Sequence, residues 1–214
     1  MDFHRVIENI DSELKKPLPG KDIQLRMSSM QRIRELMNES QKKHGVKSSV
    51  LILLYPNREG NEISTVLIQR PSYEGVHGGQ ISLPGGRSEK SDKDLNETAL
   101  RETKEEIGID PDKVITLGIL TELYIPPSNY IVLPFIGYTL EKPIFHPDPQ
   151  EVSEIIEISL ADLRNDQNIR QKDIYVRPGL SVFGPCFEIN GYVIWGATAM
   201  ILSEFREILI RINI

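Results

Sequence analysis

The sequence predicts an α/β sandwich, a sheet covered by helices, and three features predict it. The run Ser49-Val50-Leu51-Ile52-Leu53-Leu54-Tyr55 is apolar without alternation, the pattern of a strand buried on both faces. Helical spacing occurs before it and at the chain's end, with Phe3, Val6, Ile7 and Ile10 in the first case and Met200, Ile201, Phe205, Leu209 and Ile212 in the second. Between them, short strand-like runs alternate with turn-forming residues, and strands flanked by helices bury their apolar faces best as layers. At 214 residues with 39% hydrophobic and 26% charged content, the chain is long enough for one domain with a substantial core.

The elements follow in order. A first helix runs from Phe3 through Leu14 and ends at Pro17-Leu18-Pro19-Gly20. A second is expected over residues 30–43, with Ile33 and Met37 on one face. Residues 1–46 thus form an N-terminal helical arm, read as a lid packed on the core with a homodimer contact as the alternative, and residues 47–214 form the body of the same single domain. Strands are expected over residues 49–55, 64–69 and 81–83. After a central helix, further strands cover 114–123 and 131–138, around the loop Ile125-Pro126-Pro127-Ser128-Asn129-Tyr130. Residues 154–159 and 175–176 are shorter strand candidates. Asn190-Gly191 marks a hairpin turn within 187–195. The last helix starts near Gly196.

The central helix carries the chemistry. Asp94 and Glu97 stand at capping-box spacing, so the helix starts near Asp94, and Gly108 can take the left-handed conformation that ends it. Within it, Glu102 and Glu106 lie one turn apart and Glu105 sits on the flank, beside the apolar stripe of Leu95, Ala99, Thr103 and Ile107. Like charges at this spacing destabilise an isolated helix by about 0.2–0.5 kcal/mol per pair, and a cation in front of them reverses that cost. Oxygen-only donors suit Mg²⁺ or Mn²⁺, which carboxylates typically share with substrate phosphates. Gly85-Gly86 supplies a tight turn upstream. A solvated acidic face neutralised by Arg101 and Lys104 is the plainer reading of the helix alone.

Gly86, a loop, then Arg101-Glu102-Thr103-Lys104-Glu105-Glu106-Ile107-Gly108-Ile109 resembles the Nudix box of the Nudix hydrolase superfamily, whose members cleave a nucleoside diphosphate linked to another moiety. Two departures stand out. Thr103 replaces an aliphatic residue. The interval from Gly86 to Arg101 is one residue longer than usual, with Asp92 as the nearest acid where a Glu is expected. The long loop, Arg70, Gly79-Gln80, Pro84-Gly85-Gly86, Pro149-Gln150-Glu151-Val152 and Ile194-Trp195-Gly196 resemble the coenzyme A pyrophosphatase branch. Pro71 departs from that branch.

The resemblance implies an α/β/α sandwich with a mixed sheet and a metal-dependent diphosphatase. It implies catalytic Arg101, Glu102, Glu105 and Glu106, with Glu102, Glu106 and Glu105 holding Mg²⁺ or Mn²⁺. Arg70, Gly85, Gly86 and His77 are the expected substrate contacts. The implied substrate is a small nucleotide, first of all coenzyme A or an acyl derivative cleaved to 3′,5′-ADP and phosphopantetheine. ADP-ribose, an ADP-sugar or a nucleoside triphosphate are alternatives, as is a Nudix module that senses a nucleotide without cleaving it. Tyr130 is a candidate for base stacking, while Trp195 reads as core.

Other function classes fit poorly. A formal charge of −6 argues against a nucleic-acid surface. No apolar run is long enough for a bilayer, and Met1-Asp2-Phe3-His4-Arg5 is unlike a secretory signal. The single Cys186 suits a reducing, cytoplasmic setting and reads as a buried structural thiol. Four scattered histidines do not suggest zinc.

Overall fold

The computed structural model describes residues 2–29, 33, 45–57, 62–71, 79–177 and 179–214. The helix expected over residues 30–43 lies outside these apart from Ile33, and so does His77.

A mixed sheet forms the centre. Its main path runs β3 (Ile81–Ser82), β2 (Ile63–Gln69), β1 (Val46–Pro56), β7 (Tyr130–Tyr138) and β5 (Ile115–Ile119). β1 and β7 are parallel, pairing from Val46 with Tyr130 to Leu54 with Tyr138. The remaining pairings in this sheet are antiparallel, including those of β4 (Gly85–Arg87) with β1, β6 (Leu123–Ile125) with β7 and β8 (Glu154–Ser159) with β2. A second, antiparallel sheet joins β9 (Ile169–Arg177), β10 (Leu180–Ile189) and β11 (Tyr192–Ile194).

The apolar run of β1 is continuous because both of its faces are covered. Ile52 and Leu54 enter one core cluster, shared with α1 (Phe3–Leu14) and the C-terminal helix α5 (Gly196–Arg211). Leu51, Leu53 and Tyr55 enter the other, against Ala99 and Ile107 of α3 (Leu95–Ile107). This is the α/β/α sandwich. α1 buries Phe3, Val6, Ile7 and Ile10 in the first cluster, capped at its start by the Asp2 carboxylate. Two short α-helices, α2 (Lys21–Leu25) and α4 (Leu160–Arg164), are also among the described residues. Among the described residues no helix is long and apolar enough to cross a membrane.

Two strand expectations need correction. The strand expected over 114–123 is two strands, β5 and β6, separated at residues 120–122. The break has a cause: the backbone N–H and hydroxyl of Thr121 both donate to the buried carboxylate of Glu204 on α5 rather than to a neighbouring strand. The short candidate at 175–176 is the end of the nine-residue β9. The Asn190-Gly191 turn has φ of 54° and 85°, the left-handed pair that a two-residue hairpin between β10 and β11 demands.

Candidate active site

α3 forms as its sequence directs. The Asp94 carboxylate accepts from the Glu97 N–H at its start, and Gly108, at φ 75°, caps its end. Thr103 is fully buried and returns its hydroxyl to the Ala99 carbonyl at 2.7 Å, so the hydroxyl at this apolar position is satisfied within the helix. The next segment docks on the helix end: the N–H groups of His146 and Asp148 donate to the carbonyls of Ile107 and Glu106 at 2.9 and 3.0 Å. Helix C-termini leave such carbonyls without partners, and satisfying them brings the turn carrying Glu151 beside the acidic face. Val152, buried in the α3-side cluster, anchors that turn.

Carboxylate oxygens of Glu102, Glu106 and Glu151 lie within 4.8 Å of one another. Glu106 is 1% exposed; it accepts from the Gly85 N–H at 2.8 Å and from Arg70 at 3.0 Å. Burial raises its carboxyl to about 7, against the pull of Arg70 and the Gly85 N–H, with Glu102 and Glu151 adding to the rise. Burial also raises Glu102, and Arg101 opposes this. Two acids beside a third, desolvated carboxylate, all offering oxygen, form a donor set that fits a hard divalent cation.

Arg101 organises one side of this face. It donates to Asp92 at 2.9 and 3.2 Å, to Glu102 at 3.0 Å and to Glu105 at 2.8 Å. Asp92, its side chain 1% exposed, also accepts from Thr98 and the Glu89 N–H, and its carboxyl is held well below the usual range chiefly by Arg101. The longer loop therefore carries an acid that anchors the arginine. Asp92→Asn should lower turnover about ten- to a hundredfold, because Arg101 then no longer holds Glu102 in place. It should also flatten the acid limb of stability: a lowered carboxyl stabilises the fold above its unfolded value of 3.8, and that stability is lost as pH falls below it. Wild-type turnover together with an unchanged acid limb would refute this role.

The structure does not bring Glu105 into the carboxylate group; its side chain is half exposed and paired with Arg101. One turn of helix carries Glu102 and Glu106 to the same neighbourhood, whereas Glu105 points off to the flank. The third acid is Glu151, from the block Pro149-Gln150-Glu151-Val152, which the sequence marks only through its resemblance. Arg70, expected on a substrate phosphate, here pairs with Glu106 and the Gly85 carbonyl. Gly85 and Gly86 line the site, as does Arg87. A Cβ on Gly86 would overlap the Glu102 carboxylate, and one on Gly85 would overlap the Ser49 carbonyl.

Behind the acids lies a cavity of about 590 Å³. Tyr130 and Pro127 line it, and so does Trp195, which is only half-buried and not core as expected. Ile174 and Val182 of the second sheet and Met27 of the N-terminal segment add apolar surface. This size suits a small-molecule ligand.

In the presence of a chelator, stability should fall as pH rises from about 4.5 to about 7. A carboxyl raised on folding binds its proton more tightly in the native state, so deprotonation across this window favours the unfolded chain. Urea titrations between pH 4 and 8 measure this, and Glu106→Gln should flatten the slope. A slope of the same size in the variant would assign the effect to other groups.

Residues 46–178 match the NUDIX domain family. Nudix hydrolase 22, chloroplastic, of Arabidopsis thaliana is 34% identical over 73% of this chain and 53% of its own length. The uncharacterized Nudix hydrolase NudL of Pectobacterium atrosepticum is 34% identical over 65% of this chain and 72% of its own. The mitochondrial coenzyme A diphosphatase NUDT8 of Mus musculus is 34% identical over 63% of this chain and 65% of its own. The chain spans about half the length of the plant relative. Among solved structures, the Nudix hydrolase RenU of M. smegmatis shares the fold, with a TM-score of 0.54 at 16% identity over 80% of this chain and 89% of its own.

Proposed function

The chain belongs to the NUDIX family, and from that membership we propose that it is a metal-dependent hydrolase of nucleoside diphosphate-linked compounds, with coenzyme A or an acyl derivative as substrate. The observation that carries this reading is the convergence of Glu102, Glu106 and Glu151 at the wall of a cavity whose other walls are largely apolar. A diphosphate belongs at the acids and a long, mostly apolar arm belongs in the cavity. The name of the mouse relative supports the choice of coenzyme A.

Glu102, Glu106 and Glu151 would hold Mg²⁺ or Mn²⁺, which would neutralise charge on the diphosphate and lower the pKa of bound water. The protein's own groups prepare the rest. The Gly85 N–H and Arg70 orient the Glu106 carboxylate, and Arg101, itself anchored by Asp92, orients Glu102. Glycine at position 86 leaves room for that carboxylate. Arg87, exposed at the same wall, is placed to hold a phosphate oxygen through its planar fork. Glu151, the exposed carboxylate of the three, accepts the proton from the attacking water at a carboxylate oxygen.

The test is a panel of coenzyme A, ADP-ribose and nucleoside triphosphates with Mg²⁺ and with Mn²⁺, read by product identity. Coenzyme A should give the highest kcat/KM, with 3′,5′-ADP and phosphopantetheine as products. If ADP-ribose is preferred tenfold or more, about 1.4 kcal/mol of transition-state preference, the coenzyme A assignment is wrong while family membership stands.

A further inference from the structure

Glu151 reaches the other two acids on a short turn, and Asp148 closes that turn. The Asp148 N–H donates to the Glu106 carbonyl at 3.0 Å, and the Asp148 carbonyl accepts from the N–H groups of Glu151 and Val152 at 3.0 and 2.8 Å. These are main-chain bonds that any residue but proline supplies. The side chain adds one more: its carboxylate accepts from the Gln150 N–H at 2.8 Å. Asp148 stands outside the converging group of Glu102, Glu106 and Glu151, so its carboxylate serves the backbone.

The sequence around it makes this bond matter. Pro147 and Pro149 flank Asp148 and have no N–H to donate. A residue that precedes proline is also turned away from the helical region, so the segment cannot close as a continued helix. A carboxylate that accepts the N–H two residues on is the local alternative. Both ends of the turn are fixed elsewhere. His146 and Asp148 hold it to the end of α3. Val152 is buried, and Ser153 gives its N–H and hydroxyl to the carbonyl of Gln69, the last residue of β2, at 2.8 and 2.9 Å. Between these anchors Pro149, Gln150 and Glu151 are exposed, and the Asp148 carboxylate braces them.

We propose that Asp148 is a positioning residue, whose carboxylate fixes Glu151, through the Gln150 N–H, where its oxygen meets those of Glu102 and Glu106. The inference rests on the role given to Glu151 above and adds the group that holds it. What position 148 must supply is an acceptor, not a charge. Asparagine keeps that acceptor and alanine removes it. Without it the exposed Gln150 N–H turns to water, and the Glu151 carboxylate leaves its place while the anchors hold.

Two readouts test this: Mn²⁺ affinity of the substrate-free protein by water-proton relaxation, and kcat and KM for coenzyme A. Asp148→Ala should weaken Mn²⁺ about fivefold and lower kcat about tenfold, with KM within about twofold. Asp148→Asn should restore both to within about twofold of wild type. In a Glu151→Gln background, Asp148→Ala should cause no further loss, because its effect passes through Glu151. Metal-free Asp148→Ala should melt within about 4 °C of wild type, since the main-chain bonds remain. A much lower Tm would make the contact structural and overturn the inference. So would wild-type behaviour of Asp148→Ala, equal losses in the alanine and asparagine variants, or losses that add to those of Glu151→Gln. The expected Mn²⁺ pattern in a protein that cleaves neither coenzyme A nor any other nucleotide of the panel would support this inference and overturn the proposed activity. Wild-type protein that binds no Mn²⁺ would overturn both.

Discussion

Glu106→Gln is expected to lower turnover by about a thousandfold or more while the protein remains folded. The substitution removes a charge and almost no volume. Glutamine Oε1 can still accept the Gly85 N–H, so the contact between β4 and α3 survives. What disappears is one of the three carboxylates, with Glu102 and Glu151, whose oxygens converge within 4.8 Å. Burial penalises the wild-type carboxylate, which is why its carboxyl rises to about 7. The variant escapes this penalty and should be at least as stable as wild type above pH 7 when metal is chelated. Steady-state kinetics with Mg²⁺, Mn²⁺ titration and urea unfolding test all three consequences. Unchanged turnover and Mn²⁺ affinity would remove Glu106 from the site.

Gly85 and Gly86 are adjacent, yet their substitutions should fail in different ways. Gly85 has φ 145°, and a Cβ there would overlap the Ser49 carbonyl and the Val50 backbone. Neither obstacle can rotate away, so Gly85→Ala should lose about 2–4 kcal/mol of stability. At Gly86 the obstacle is the carboxylate of Glu102, the far end of a flexible side chain. Gly86→Ala should therefore fold with little loss, displace Glu102 and lower turnover about a hundredfold. Gly86→Val should abolish more activity for the same reason. Denaturant midpoints and kcat measured on both alanine variants separate the two roles. Equal stability losses at 85 and 86 would contradict the division.

Local patterns disclosed the elements whose causes are local. Asp94, the spacing of Leu95, Ala99, Thr103 and Ile107, and Gly108 set the start, face and end of α3. Asn190-Gly191 set the hairpin, and the unbroken apolar run of β1 reported burial on both faces. The division of the strand expected over 114–123 was not legible, because its cause, Glu204, lies 83 positions away from Thr121. Glu102 and Glu106 could be paired from helical geometry alone. The partners of Arg70 could not, since Glu106 is 36 positions from it and the two meet only across the folded site.

The sequence by itself determined the family, the α/β class, the acidic face of α3 and the glycine turn before it, since each is written in neighbouring residues or a short period. Only the tertiary structure decided which third acid joins Glu102 and Glu106. It left Glu105 on the flank and brought in Glu151, because the unfilled carbonyls at the end of α3 are satisfied by the segment that carries it. It also decided that Asp92 anchors Arg101. These outcomes depend on which distant groups satisfy one another once water is excluded, and no local pattern encodes that choice.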